Sequence, residues 1–175
     1  MTFEQLIKDI DNRIFHPVYL LWGEEPYFID AIIDKIMDTV LSESEKSFNQ
    51  TVLYGKDTNA YEINEAARRF PMMANHQLLV VKEAQDLKDF NKLDSYISDP
   101  LKSTILVFSF KYKKPDKRQK VFKSIKKNGV EFEAKRVYED KIPAWIDNYV
   151  SSKNYKISPK ATMLVSENVG SGLSK

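Results

Sequence analysis

The chain has 175 residues, 42% of them apolar, with ten Phe and nine Tyr, enough for one domain of ordinary size or one domain plus a fragment, and too apolar for disorder. Formal net charge is only +2 and there is no cysteine, so no global basic field draws the chain to nucleic acid, and a disulfide scaffold or thiolate catalysis is excluded. No apolar run reaches membrane-spanning length, and the start, Met1-Thr2-Phe3-Glu4-Gln5-Leu6, lacks the basic and apolar regions of a signal peptide, so a cytoplasmic location is expected.

Leu6, Ile7 and Ile10, then Ile14, follow helical spacing and predict a first helix over about residues 3–12, with Pro17 ending any continuation. Residues 18–22, Val-Tyr-Leu-Leu-Trp, form a short apolar run of the kind expected for a strand covered on both faces. Pro26 suits a helix start, and Phe28, Ile29, Ile32, Ile33, Ile36, Met37 and Val40 mark a long amphipathic helix. Residues 49–54 read as a second strand. Thr58 is the expected cap of a helix containing Ile63, Ala66, Ala67 and Phe70, which Pro71 stops.

Residues 77–81 are the third strand, followed by a helix with Leu87, Phe90, Leu93 and Ile97 on one face. Residues 103–110 are the fourth strand. A helix over 116–127 buries Val121, Phe122 and Ile125, ends at Asn128-Gly129 and leads into a short fifth strand over 130–133. Strands alternating with helices predict an α/β domain, a three-layer, mostly parallel sheet ending near Tyr138. Two further helices follow, one over 141–152 and one from Ser158-Pro159 carrying Ala161, Leu164, Val165 and Val169.

The turn after the first strand is where an α/β nucleotide-binding protein cradles phosphate. That chemistry needs several glycines and a Lys-Ser/Thr pair; here only Gly23 is present, followed by Glu24 and Glu25. Carboxylates suit a helix N-terminus but repel polyphosphate: two like charges about 4 Å apart cost roughly 4 kcal/mol at an effective dielectric of about 20. No nucleotide is expected there. His16 and His76 each precede a strand and lie in no ligand-spaced cluster, so no metal site is expected. No nucleophile elbow appears.

Two stretches remain. Lys111, Lys113, Lys114, Lys117, Arg118, Lys120, Lys123, Lys126 and Lys127 form a basic run opposed in sequence only by Asp116, with Phe110 and Tyr112 adjoining. It could track a phosphate backbone, and a nucleic-acid-binding module is the alternative reading of the chain. The buried stripe of the same helix favours a solvated face. In Phe70-Pro71-Met72-Met73-Ala74, two large apolar side chains follow a helix-ending proline. Adjacent side chains of an extended segment point in opposite directions. Taken alone, the residues favour core or loop packing, because Met fills irregular gaps; the alternative is an exposed plug for a partner's pocket.

Three stretches together resemble the delta-subunit family of the bacterial DNA polymerase III clamp loader. They are Pro17-Val18-Tyr19-Leu20-Leu21-Trp22-Gly23-Glu24-Glu25-Pro26-Tyr27-Phe28, the Phe70-Pro71-Met72-Met73 turn leading into Gln77-Leu78-Leu79-Val80-Val81, and Ile157-Ser158-Pro159-Lys160-Ala161 through Val169-Gly170. The resemblance implies an AAA+-type first domain (1–139) with a degenerate phosphate loop at Gly23, Glu24 and Glu25, then the start of a helical lid domain (140–175). The family's collar domain is absent, so a shortened and monomeric chain is expected.

By the same resemblance a hydrophobic pair inserts into a pocket of the sliding clamp, beside the clamp's subunit interface, and the ring opens. That pair falls on Met72 and Met73, presented by Phe70 and Pro71. Where the family often has a leucine and an aromatic residue, this chain has two methionines, each losing up to about 1.5–2 kcal/mol of rotamer entropy on burial. The implied function is clamp opening in DNA replication without intrinsic catalysis, cofactor or metal. The implied partners are the sliding clamp and other loader subunits, which handle ATP. DNA is a further partner within the complex, with Lys113, Lys114, Lys117, Arg118 and Lys120 as candidate contacts.

Overall fold

The computed structural model describes residues 1–169 and Leu173. Gly170, which ends the last resembling stretch, and the side chain of Val169 lie outside the described residues. The chain divides into two units, Met1–Ala134 and Lys135–Lys175.

In the first unit five strands form one sheet in the order β2-β3-β4-β1-β5, every neighbouring pair parallel. They are β1 (Val18–Gly23), β2 (Gln50–Tyr54), β3 (Gln77–Lys82), β4 (Thr104–Lys111) and β5 (Val130–Ala134). β1 lies between β4 and β5, with Leu20 opposite Phe108 on one side and Glu131 on the other, and all six of its residues are buried. Its side chains alternate between two cores. Tyr19 and Leu21 pack with Ile29, Ile32, Ile33 and Ile36 of α2 (Pro26–Thr39) and with α1 (Phe3–Asp11). Leu20 and Trp22 pack on the opposite face with Ile63, Phe90, Phe122 and Ile125. Helices on both faces of a parallel sheet explain why its central strands are continuously apolar.

Local differences from the sequence reading have identifiable causes. The polar helix α3 (Glu43–Asn49) has no apolar stripe, but Ser42 and Glu45 close a capping box at its start. α4 (Ala60–Ala67) is capped by Asn59, whose side chain accepts the Glu62 N–H at 3.0 Å, and not by Thr58. It ends before Phe70. The helix expected over Leu87, Phe90, Leu93 and Ile97 is two 3₁₀ turns, Ala84–Asp86 and Phe90–Leu93, and a four-residue α5 (Asp94–Ile97). All four apolar residues are still buried, but Asp86, Asp89, Asn91 and Asp94 favour turns over a continuous helix, and Asp89 is drawn away to accept the Ala60 N–H.

α6 (Lys120–Asn128) starts later than expected because Asp116 accepts bonds from the backbone and side chain of Arg118, holding a turn. Ile14 is exposed beyond the end of α1, where Arg13 takes a positive φ of 58°. Gly129 ends α6 in extended conformation; its role is close approach, since a Cβ there would lie 2.3 Å from the Val18 carbonyl oxygen.

The second unit contains α7 (Ile142–Ser152) and α8 (Pro159–Val169). The Thr162 hydroxyl on α8 donates to Asp147 on α7 at 2.7 Å. Leu164 and Val165, carried by α8, are exposed.

Candidate functional site

The turn after β1 spends its backbone donors internally. The N–H groups of Glu24 and Glu25 both donate to the carbonyl of Ala134, at 2.9 and 3.1 Å. In a phosphate cradle such groups would face the anion; here the last residue of β5 takes them. The two carboxylates separate. Glu24 is exposed, whereas Glu25 is buried and caps α2 by accepting the Tyr27 N–H. Gly23 has φ of 145°, and a Cβ on it would meet the Ala134 carbonyl oxygen at 2.2 Å. This turn is a joint between β1, α2 and β5.

The turn between α4 and β3 differs: its backbone is tied down while its side chains are left out. At one end, the Gln77 amide Nε2 lies 3.1 Å from the Ala66 oxygen, 3.2 Å from that of Ala67 and 2.7 Å from the Thr104 hydroxyl oxygen. The Thr104 hydroxyl itself donates to Ala67. These groups satisfy carbonyls that the end of a helix leaves without partners. In the middle, Asn49, buried at the end of α3, makes a reciprocal pair with Met72. Its Oδ1 accepts the Met72 N–H at 2.6 Å and its Nδ2 donates to the Met72 carbonyl at 2.9 Å. The same Nδ2 also reaches the Glu45 carbonyl at 3.2 Å. Each such bond contributes about 1 kcal/mol net.

Met73, the next residue, takes a left-handed φ of 53°, a conformation costing a non-glycine residue roughly 1–2 kcal/mol. Met73 is 97% exposed, Phe70 79% and Met72 59%, while Pro71 is half-buried. The residues alone favour core or loop packing; neither methionine is in the core. Both methionines are exposed, Met73 on a left-handed backbone, and the small Ala74 packs against the core that includes residues of α1 and α2. His76 sits edge-on to Phe15, 5.7 Å between ring centres. The side-chain amides of Asn49 and Gln77, which tie this turn down, have no periodicity in the sequence to reveal them.

Five of the nine basic side chains of the run are paired with acids in space. Lys113 pairs with Asp86 at 3.5 Å, Lys117 with Glu131, Arg118 with Asp116 at 2.8 Å and Lys120 with Asp94 at 2.9 Å. Lys117 also lies over the Trp22 ring, 4.5 Å from its centre. Lys111, inside β4, pairs with Asp30. Asp116 is thus not the sole opposing charge: acids distant in sequence converge on the same face. Lys113 and Lys114 border a cavity of about 330 Å³ whose wall includes Phe90 and Phe110. Among the described residues no group of three or more His, Asp or Glu side chains could hold a metal ion, and no helix is long and apolar enough to cross a membrane.

Asp94 joins α5 to α6. Lys120 first, then the Ser124 hydroxyl, hold its carboxyl below the usual carboxylate range, against opposition from burial. A group depressed in the folded state stabilises the fold above its unfolded pKa, and that contribution is lost as pH falls through the folded value. Asp94→Asn is therefore expected to lower the urea midpoint at pH 7, and the gap to wild type should close as the pH falls below about 4, the ordinary carboxylate value, toward the depressed folded one. A gap that stayed constant down to pH 2.5 would contradict this assignment.

Residues 19–135 match the family profile described as DNA polymerase III, delta subunit. The DNA polymerase III subunit delta of Bacillus subtilis (strain 168) is 29% identical over 164 residues, covering 88% of this chain and 47% of that protein. A solved structure of the Bacillus subtilis DNA clamp loader delta protein superposes with a TM-score of 0.83 at 26% identity, over 99% of this chain and 54% of that one. A DNA polymerase III gamma subunit-related protein of Thermotoga maritima gives a TM-score of 0.51 at 12% identity, over 98% of this chain and 59% of that one, a likeness of fold. The chain spans about half the length of the curated relative it matches.

Proposed function

The chain belongs to the DNA polymerase III delta-subunit family, and we propose that it binds a sliding clamp through Met72 and Met73 and favours the opened ring, without hydrolysing ATP itself. The observation carrying this reading is the turn after α4, where two methionines stand in solvent on a backbone tied to the sheet. Exposed apolar side chains that adjoin one another, as Phe70, Met72 and Met73 do along this turn, mark interaction sites where scattered single ones do not. Phe70 and Pro71 precede the pair and set its approach. Opening follows from differential affinity: a protein that binds the opened or strained clamp more tightly shifts the ring toward that state, by no more than the difference in affinity.

ATP enters through other loader subunits in this reading. The Gly23-Glu24-Glu25 turn is unsuited to it, because its N–H donors are occupied by Ala134 and its side chains are acidic. Action beside replicating DNA places the protein in the cytoplasm. The primary test is direct. The chain mixed with a bacterial sliding clamp is expected to comigrate with it in gel filtration, and two separate peaks at tens of micromolar would overturn the reading.

DNA contact by Lys113, Lys114, Lys117, Arg118 and Lys120 is a lesser contribution made within the assembly, since four of the five are already paired with acids. The isolated chain is expected to bind duplex DNA weakly, with log K falling against log salt at a slope shallower than about −3 in fluorescence anisotropy. A steeper slope with tight binding would favour the nucleic-acid-binding module instead.

A further inference from the structure

From the reciprocal bonds between Asn49 and Met72 we infer that Asn49 is a positioning residue for clamp docking: it holds Met72 and Met73 in the binding pose before the partner arrives. This rests on the clamp-binding reading above. Asn49 is 23 residues before Met72 in sequence and only 4% exposed, yet both polar ends of its side chain go to one residue's backbone, the N–H and the carbonyl of Met72. A side-chain amide is suited to this because it carries a donor and an acceptor on one plane. Alanine and leucine supply neither, and aspartate at neutral pH supplies only the acceptor.

The bonded residue is followed at once by Met73 in its left-handed conformation. An unfavourable backbone state persists where surrounding contacts over-determine it. The Met73 side chain, 97% exposed, gives no packing to hold it, so the restraint comes from the backbone on either side. Asn49 holds the Met72 side of that step, and the packed Ala74 holds the other. With Asn49 removed, the turn would visit other conformations, and apparent affinity would fall by the fraction of time spent in the competent one.

The test measures clamp affinity for four forms of the 175-residue chain: wild type, Asn49→Ala, Met73→Ala and the double variant. If the freed turn is competent about one-fifth of the time, Asn49→Ala raises Kd about fivefold. In the Met73→Ala background the same change should cost less than about twofold, because there is less side chain left to position. A purely structural role would cost the same in both backgrounds, and that result overturns the proposal.

Hydrogen exchange in the wild-type chain gives a readout that needs no variant to fold. The Met72 amide should be protected, and exchange at the rate of a free amide would also overturn the proposal. If Met72→Ala/Met73→Ala leaves clamp binding intact, the reading of this pair as the anchor fails and this inference with it. If that variant loses binding while Asn49→Ala binds as wild type does, the inference about Asn49 alone falls.

Discussion

Replacing Met72 and Met73 together with alanine is expected to weaken sliding-clamp binding by about tenfold to thirtyfold, roughly 1.4–2 kcal/mol, while leaving the fold unchanged. Burying a methionine side chain gains about 1.5–3 kcal/mol and forfeits up to about 1.5–2 kcal/mol of rotamer entropy. One methionine on a mobile loop would thus bind barely better than alanine. Two on a backbone already held by Asn49, Gln77 and Thr104 need less ordering, so more of the gross gain survives as affinity.

Stability should hardly move, because Met73 is 97% and Met72 59% exposed and such surface positions usually lie within about 0.5 kcal/mol of neutral. The Met72 backbone bonds to Asn49 persist in the variant. Surface plasmon resonance against immobilised clamp, with a thermal melt as control, reads both quantities. Equal affinity in two equally folded proteins would remove the pair from the interface and leave Phe70, 79% exposed, as the next candidate.

Much of the fold was legible in the sequence because the sheet is covered on both faces. Strands such as 18–22 and 105–108 are apolar at every position, and a run of that kind has few other stable places. What failed were segments whose conformation depends on single polar contacts. Leu87, Phe90, Leu93 and Ile97 are buried together, but the backbone joining them bends to the bond that Asp89 accepts from the Ala60 N–H and does not follow the helical spacing. The basic run looked unopposed because its acidic partners, Asp86, Asp94 and Glu131, are spread along the chain and meet it only in space.

The turn between α4 and β3 was half legible for the same reason. Two large apolar residues after a helix-stopping proline could be seen to crowd an extended segment. Which of them turned inward could not be read from that alone. Neither does: both methionines are exposed, Met73 with a left-handed φ, and Ala74 packs against the core. The capping box at Ser42 and Glu45 was a readable sign of α3, the helix that delivers Asn49, although α3 has no apolar stripe.

Gly23→Ala is expected to be the most damaging single methyl addition in the first unit, costing about 3 kcal/mol or more, a size reached only through a few severe mechanisms such as backbone strain and overpacking. Two penalties combine. At φ of 145° an L side chain is strained whatever the surroundings, by of order 1–3 kcal/mol. The added Cβ would also lie 2.2 Å from the Ala134 carbonyl oxygen and 2.7 Å from its carbon, backbone atoms that cannot rotate away as a side-chain tip could. Moving Ala134 would break the bonds that its oxygen accepts from Glu24 and Glu25, and β5 pairs with β1 up to that residue.

The same geometry makes the turn a test of what this framework is for. Glycine here permits contact with the chain's own β5 backbone, in the place where a phosphate cradle would admit a ligand. Gly23→Ala should therefore lower the urea midpoint sharply. In a clamp titration at low temperature, where the variant stays folded, clamp affinity should change little, because Met72 and Met73 lie on a different turn. A variant that kept its stability would mean that Gly23 does not need its positive φ, and the account of this turn as a structural joint would fall with it.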